Sequence, residues 1–367
     1  MKQIFLYVCL LVWISSPAVQ ASETHDAPRW IDRAAMDEVL RQATRDGFVG
    51  VVGISDGSST IFSFAVGDAV AGEAPYGEVT LVDIASITKQ FTGAAILKLR
   101  EQGKVQLSDR LDDFFKDVPE NKKAITLHQL LTHTAGLADV VGQDQEAIER
   151  DDYLARAFAA PLVAKPGTRY EYSNMGYSLL AAIIEVTSGQ AYEDYLFDNL
   201  WKPAGMYTTG YYRPDWSERT VPQIAVPHDG LSSAKDVLDR TGGKTWHLFG
   251  NGGVLSTAPD MLRWHRALLG TKILSAESKE LLFAPHVSEG EEGYYYGYGW
   301  SIVPDYKGKK LVWHNGGSHF SRAEFWRFPE TGMAIFIATH SKDVEPYFMA
   351  DALAKILNSS SSAPERK

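Results

Sequence analysis

Cysteine is all but missing: Cys9 is the only one among 367 residues. It falls in an opening stretch with the marks of an export signal. Met1-Lys2-Gln3 is short and positive, Ile4–Ile14 is apolar, and Val19-Gln20-Ala21 offers a cleavage site, so a mature start near Ser22 is expected. Bulky Tyr7 and Val8 before Cys9 do not make a lipid-attachment box. The mature chain is then free of cysteine, which excludes thiol catalysis, thiolate metal sites and disulfides. Location in the periplasm or outside the cell follows as an expectation, and the fold must rest on a large core instead of cross-links.

Basic runs are also missing. Lysine and arginine number 36 against 46 acidic residues, a net charge of -10, so there is no electrostatic footprint for nucleic acid. No apolar run is long enough to span a bilayer comfortably, so no stable membrane anchor is expected. The ten histidines are scattered and form no His-Glu-x-x-His pattern, although His314 and His319 lie five apart across a glycine-rich turn. Neither a metal nor any other cofactor is implied.

What is present is an ordinary globular composition, 45% apolar and 22% charged. Helical spacing of Ile31, Ala35, Met36, Val39 and Leu40 predicts a terminal helix within His25–Arg45. Phe48–Ile54 and Ile61–Val66 read as a hairpin around Ser55-Asp56-Gly57-Ser58-Ser59. Gly53-Ile54-Ser55-Asp56-Gly57 matches a nucleophile elbow in letters, but no helix follows it, so a plain turn is expected. From Leu107 to about Pro203 the pattern is helical, over Ile125–Leu131, Ala147–Ala159 and Met175–Thr187. A helix at Thr257–Leu269 follows. Gly297–Val303, Lys310–His314, Arg322–Phe328 and Met333–Thr339 then have the rhythm of an antiparallel meander, and Tyr347–Leu357 closes as a helix.

The expected fold is therefore α+β: a central antiparallel sheet flanked by the terminal helices, with an inserted all-helical subdomain. The divisions are 1–21 signal, 22–106 first sheet part, 107–203 helical part, 204–357 remainder of the sheet part and 358–367 frayed tail. A site is expected in the groove between the two parts.

Three polar clusters have no plain structural need. Ser86 and Lys89, three apart at a helix start, can share a face, so an amine lies beside a hydroxyl. That spacing alone is common in soluble chains. Tyr172-Ser173-Asn174 precedes a helix; Tyr172 could equally be a core aromatic and Asn174 an ordinary N-cap. His314-Asn315-Gly316-Gly317 ends a strand and could be only a hairpin turn.

In this order, the three clusters resemble the serine β-lactamase and penicillin-binding-protein superfamily, most closely its class C-like branch with D-aminopeptidases, DD-peptidases and family VIII carboxylesterases. The motifs Ser86-Ile87-Thr88-Lys89, Tyr172-Ser173-Asn174 and His314-Asn315-Gly316 carry the likeness. Leu130–Leu137, Pro166-Gly167-Thr168, Tyr177–Leu180 and Gly252–Thr257 support it, from about Phe48 to Leu357. The resemblance implies a β-lactamase/transpeptidase-like fold and a serine hydrolase acting by acyl transfer. It implies that Ser86 is the acylated nucleophile, Lys89 its activating neighbour and Tyr172 the proton shuttle. Asn174 would hold the substrate amide or Lys89, and His314 would replace the lysine of the third motif. The N–H groups of Ser86 and Gly317 would form the oxyanion hole, with Asn315 and Gly316 along the substrate edge. Either a neutral Lys89 or a Tyr172 phenolate could take the serine proton.

The departure from Lys-Thr-Gly at His314-Asn315-Gly316 removes a permanent cation and a hydroxyl, which disfavours efficient β-lactam hydrolysis. With an ordinary histidine pKa near 6.5, His314 is expected to make activity pH-sensitive between roughly 5.5 and 7.5. The leading substrate class is peptides or amides with D-residues, cell-wall peptides included. The alternatives are short acyl esters, β-lactams, or a non-catalytic penicillin-binding scaffold. Specificity is expected from Gln143–Ala160 and Tyr207–His228, with Tyr211, Tyr212, Trp216, Tyr295 and Tyr296 as a possible aromatic wall.

Overall fold

Alternation of side chains along the strands sorts the core into two layers. In the computed structural model, which describes residues 22–23, 30–211, 223–227, 236, 241, 246–341 and 343–359, successive residues of one strand enter different clusters. Ala334, Phe336 and Ala338 face one cluster, while Met333, Ile335 and Ile337 face the other. A strand covered on both sides must be apolar at nearly every position, as this one is.

In chain order the strands are β1 (Ser22–Glu23), β2 (Gly50–Ser55), β3 (Thr60–Val66), β4 (Asp68–Val70), β5 (Ala74–Pro75), β6 (Val82–Asp83), β7 (Gly210–Tyr211) and β8 (Val254–Ser256). They continue with β9 (Val287–Ser288), β10 (Tyr295–Tyr296), β11 (Ser301–Tyr306), β12 (Lys309–Gly317), β13 (Arg322–Phe328) and β14 (Met333–Thr339). The main antiparallel sheet has the order β1-β3-β2-β14-β13-β12-β11-β10-β9, and β6-β8-β7 form a small sheet beside it. Chain ends thus meet at the centre, where Ile337 of β14 pairs with Val52 of β2. Ser55 is buried in the β2–β3 turn, where its Oγ donates to Ser59 O and accepts from Gly57 N, so the elbow-like letters are a turn.

One face of the sheet carries α1 (Arg33–Arg45) and the C-terminal helix Pro346–Ser359. The opposite face receives α2 (Lys89–Glu101), the helix Ala258–Leu269, and the helical part with α3 (Leu111–Phe114), α4 (Leu127–Leu131), α5 (Arg150–Ala159) and α6 (Asn174–Ser188). Both α2 and α6 are buried along most of their length because they pack on each other between the sheet and the remaining helices. No described helix is long and apolar enough to cross a membrane. The expected signal segment and the tail from 360 onward lie outside the described residues.

One expected strand starts late, and this shapes the site. Gly297–Trp300 do not pair as strand; β11 begins at Ser301, opposite Trp313. Gly299 has φ +82°, and a Cβ there would lie 2.5 Å from Lys89 O; a Cβ on Gly93 would lie 2.3 Å from Tyr298 O. The backbone is pulled onto α2, which breaks the ladder. Residues 314–317 of β12 are therefore paired only to β13, and their other edge is open.

Candidate active site

The Ser86 turn hangs between the two sheets. Ile84 donates its N–H to Val254 O at 3.0 Å, and Ala85, at φ 44°, donates to Asp83 Oδ1 at 2.8 Å. Ser86 lies in a 3₁₀ turn over Ala85–Thr88 that runs into α2, not in the α-helix proper. A 3₁₀ turn eclipses positions three apart, which suits the Ser86–Lys89 pair better than an α-helix would. Lys89 Nζ stands 3.0 Å from Ser86 Oγ.

Lys89 is 0% exposed. Its Nζ also donates to Asn174 Oδ1 at 2.6 Å and to the Asn251 main-chain carbonyl at 2.9 Å. Both are oxygens that only accept. In the neutral amine they take the two N–H groups, leaving the lone pair for the third direction, toward the Ser86 hydroxyl. Burial pushes the Lys89 pKa down to about 7, against an upward pull from Asp139 and Asp144. The Tyr172 phenol moves the other way: burial raises its pKa, partly offset by a hydrogen bond to Ser86. Near neutral pH the amine is thus available as a base and the phenolate is not.

Asn174 does not cap its helix. Ser173 does, accepting from Gly176 N at 3.0 Å while donating to Ala138 O at 2.7 Å. This frees the Asn174 side chain for Lys89. Its main-chain N and its Nδ2 both donate to Asp139 Oδ1 at 3.0 Å. A carboxylate cannot donate, so Asp139 fixes the amide with its oxygen toward Lys89. The Tyr172 ring centre lies 4.8 Å from Nζ, completing the surround.

His314 is buried, at 3% exposure, and its Nε2 lies 3.0 Å from the Tyr296 hydroxyl while Nδ1 lies 2.6 Å from Asn315 O. A carbonyl only accepts, so this network puts the proton on Nδ1 and makes Nε2 the acceptor of the Tyr296 O–H. Burial, with the Lys89 charge nearby, pushes the His314 pKa down to about 3. The pH sensitivity expected from His314 is therefore corrected: burial holds its pKa below that range, while burial brings Lys89 down into it.

The two glycines after Asn315 differ from one another. A Cβ on Gly316 would lie 2.2 Å from Ile84 O, so this glycine lets the Ser86 turn approach β12. Gly317 has space. Ser318 donates its N–H back across the turn to Ser321 O at 3.0 Å, so alternation turns the Gly317 N–H to the open edge. Asn315 sits opposite Glu324, and its side chain points to the face away from His314, so only its backbone borders the open edge.

Several contributors carry no motif. The Asn251 carbonyl and the Asp139 carboxylate act through backbone position and through a neighbour, which residue type does not advertise. Tyr296 lies among the expected aromatics but is buried against His314, and Tyr211 is buried against Phe249. Tyr295 is half-buried in β10; Tyr212 and Trp216 lie outside the described residues. No group of three or more His, Cys, Asp or Glu among the described residues is arranged to hold a metal.

This arrangement has counterparts. A family model described as Beta-lactamase matches residues 34–358. Penicillin-binding protein 4* of Bacillus subtilis is 30% identical over 74% of this chain, which spans 63% of that protein's length. The D-alanyl-D-alanine-carboxypeptidase/endopeptidase AmpH of Escherichia coli is 30% identical over 74% of this chain and 70% of its own. In structure, the octameric penicillin-binding protein homologue from Pyrococcus abyssi superposes with a TM-score of 0.77 at 26% identity, over 91% of this chain and 78% of that one. With Ser86, Tyr172 and Asn174 gathered around Lys89, the chain belongs to the β-lactamase family, in its class C-like, penicillin-binding-protein branch.

Proposed function

We propose that this chain is a serine hydrolase that forms an acyl-enzyme on Ser86. The observation that carries the reading is the buried Lys89 amine, 3.0 Å from Ser86 Oγ and held by two carbonyl acceptors. Ser86 Oγ attacks the substrate carbonyl as its proton passes to Lys89 Nζ. The N–H groups of Ser86 and Gly317 receive the oxyanion; losing one such donor typically costs about 3 kcal/mol. Tyr172 gives its proton to the leaving group and is reprotonated from the Lys89 ammonium. Water then releases the acyl group by the reverse relay.

The substrates we favour are peptides or amides with D-residues, cell-wall peptides included. The likeness to AmpH, named for D-alanyl-D-alanine cleavage, supports this class. A short-chain ester is the second reading, favoured by the neutral His314, which asks for no anionic group on the substrate. The same neutrality weighs against efficient β-lactam turnover.

Intact-mass measurement tests the acyl-enzyme. The native protein is expected to gain one adduct from a fluorophosphonate and one from a penicillin, and Ser86→Ala none. Turnover of a D-alanyl-D-alanine peptide against a p-nitrophenyl acyl ester then ranks the substrate classes. Absence of any adduct on the native protein would leave a binding scaffold as the reading.

A further inference from the structure

Among the described residues only three that are not glycine have positive φ: Ala85, His133 and Lys307. Ala85 precedes the nucleophile. His133, at φ 57°, lies in Leu130–Leu137, a stretch that has received no role so far. A side chain in the left-handed region is uncommon, and such strain persists where the surroundings demand it.

His133 is 1% exposed and reaches Tyr172 in three ways. Its carbonyl accepts the Glu171 N–H at 2.8 Å, and its Nδ1 accepts the Ser173 N–H at 3.0 Å. Its ring lies on the Tyr172 ring, centroids 4.3 Å apart and planes inclined by 33°. One residue thus holds the N–H groups on both sides of Tyr172 and the face of its ring. Accepting at Nδ1 leaves the proton on Nε2, which is buried without a hydrogen-bond partner. Burial, with Lys89 and His314 nearby, keeps the ring neutral and Nδ1 able to accept.

We propose that His133 is the positioning residue that sets the Tyr172 phenol for proton delivery to the leaving group. This rests on the reading of Tyr172 as the proton shuttle, and the test separates the two. Two probes acylate or phosphonylate Ser86 with different demands. A fluorophosphonate forms the Oγ–P bond and expels fluoride, which needs no proton. A penicillin forms the Oγ–C bond and opens its C–N bond, and the ring nitrogen must take a proton from Tyr172.

Rates of adduct formation, resolved into affinity and maximal rate, are compared in His133→Ala, His133→Asn and Tyr172→Phe. The maximal rate with penicillin is expected to fall about 10²-fold in H133A, the scale of a misplaced catalytic group. The fluorophosphonate rate should change less than about 3-fold, since no proton transfer to the leaving group is lost. H133N puts an amide oxygen where Nδ1 was and tolerates positive φ, so its penicillin rate is expected within about 10-fold of native. Y172F is expected to show the same penicillin-selective loss as H133A. If H133A does not fold, His133→Phe replaces it, keeping a ring on Tyr172 while removing the acceptor; the same selective loss is expected. Equal loss with both probes in the His133 variants, against a selective loss in Y172F, would overturn the positioning role alone. Absence of selectivity in Y172F would overturn the shuttle reading and the proposal with it.

Discussion

Replacing Lys89 with methionine is expected to slow fluorophosphonate labelling of Ser86 by about 10³-fold or more, within the range for loss of a general base. Methionine fills much the same buried volume and has no lone pair on nitrogen to take the proton. Arginine in place of Lys89 is expected to do no better. It keeps a cation but cannot be deprotonated in a protein. Labelling of Lys89→Arg at more than a tenth of the native rate would show that charge, not basicity, is what the serine needs. The same site links to stability. With the folded pKa lowered from 10.5 to about 7, the unfolded chain binds a proton that the folded chain does not between those values. The contribution of Lys89 to stability therefore rises with pH through that window. It is lost as pH falls to 7, a change of roughly a few kcal/mol. In K89M that slope should flatten, which denaturant unfolding at pH 7 and pH 10 would read.

The second large effect is a contrast between neighbours. Gly316→Ala is expected to destabilise the protein by about 1–3 kcal/mol and to slow acylation about 10²-fold, because the new methyl would press on backbone. That methyl would lie 2.2 Å from Ile84 O, so the Ser86 turn must shift away from the Gly317 N–H. Gly317→Ala is expected to be nearly silent. Its methyl would meet nothing nearer than the Arg322 guanidinium at 3.7 Å, an ordinary contact. Thermal unfolding and labelling rates on the two variants check this. Equal effects would mean that β12 does not meet the Ser86 turn as described.

How much of this was legible in the letters depended on whether a residue acts by type or by place. Ser86 with Lys89, and Tyr172 with Asn174, act by type: their spacing survives in any helical start, and their company pointed to the family. The sheet strands were legible because turn residues such as Pro329-Glu330-Thr331-Gly332 punctuate short runs rich in apolar residues like β13 and β14. The late start of β11 was not, because it follows from Gly93 and Gly299 letting two backbones touch. Asn174 was legible as a cap, yet Ser173 takes that place, since its shorter hydroxyl reaches Gly176 N. The titration range of His314 was not legible for a related reason: an ordinary pKa presumes water, and burial beside the Lys89 charge pushes this ring's pKa down against the raising hydrogen bond to the Asn315 carbonyl.

The central claim is that a neutral Lys89 amine takes the Ser86 proton, and the pH profile of Ser86 labelling tests it most directly. Adduct formation with a fluorophosphonate, followed by intact mass from pH 5 to pH 10, should rise to a plateau with a midpoint near 7, the value to which burial brings Lys89. The midpoint should stay there in His314→Gln, because His314 is already neutral throughout. A profile still climbing at pH 10 would point to a phenolate base, and a midpoint lost with His314 would place the titrating group on that ring. Either result would contradict the role given to Lys89.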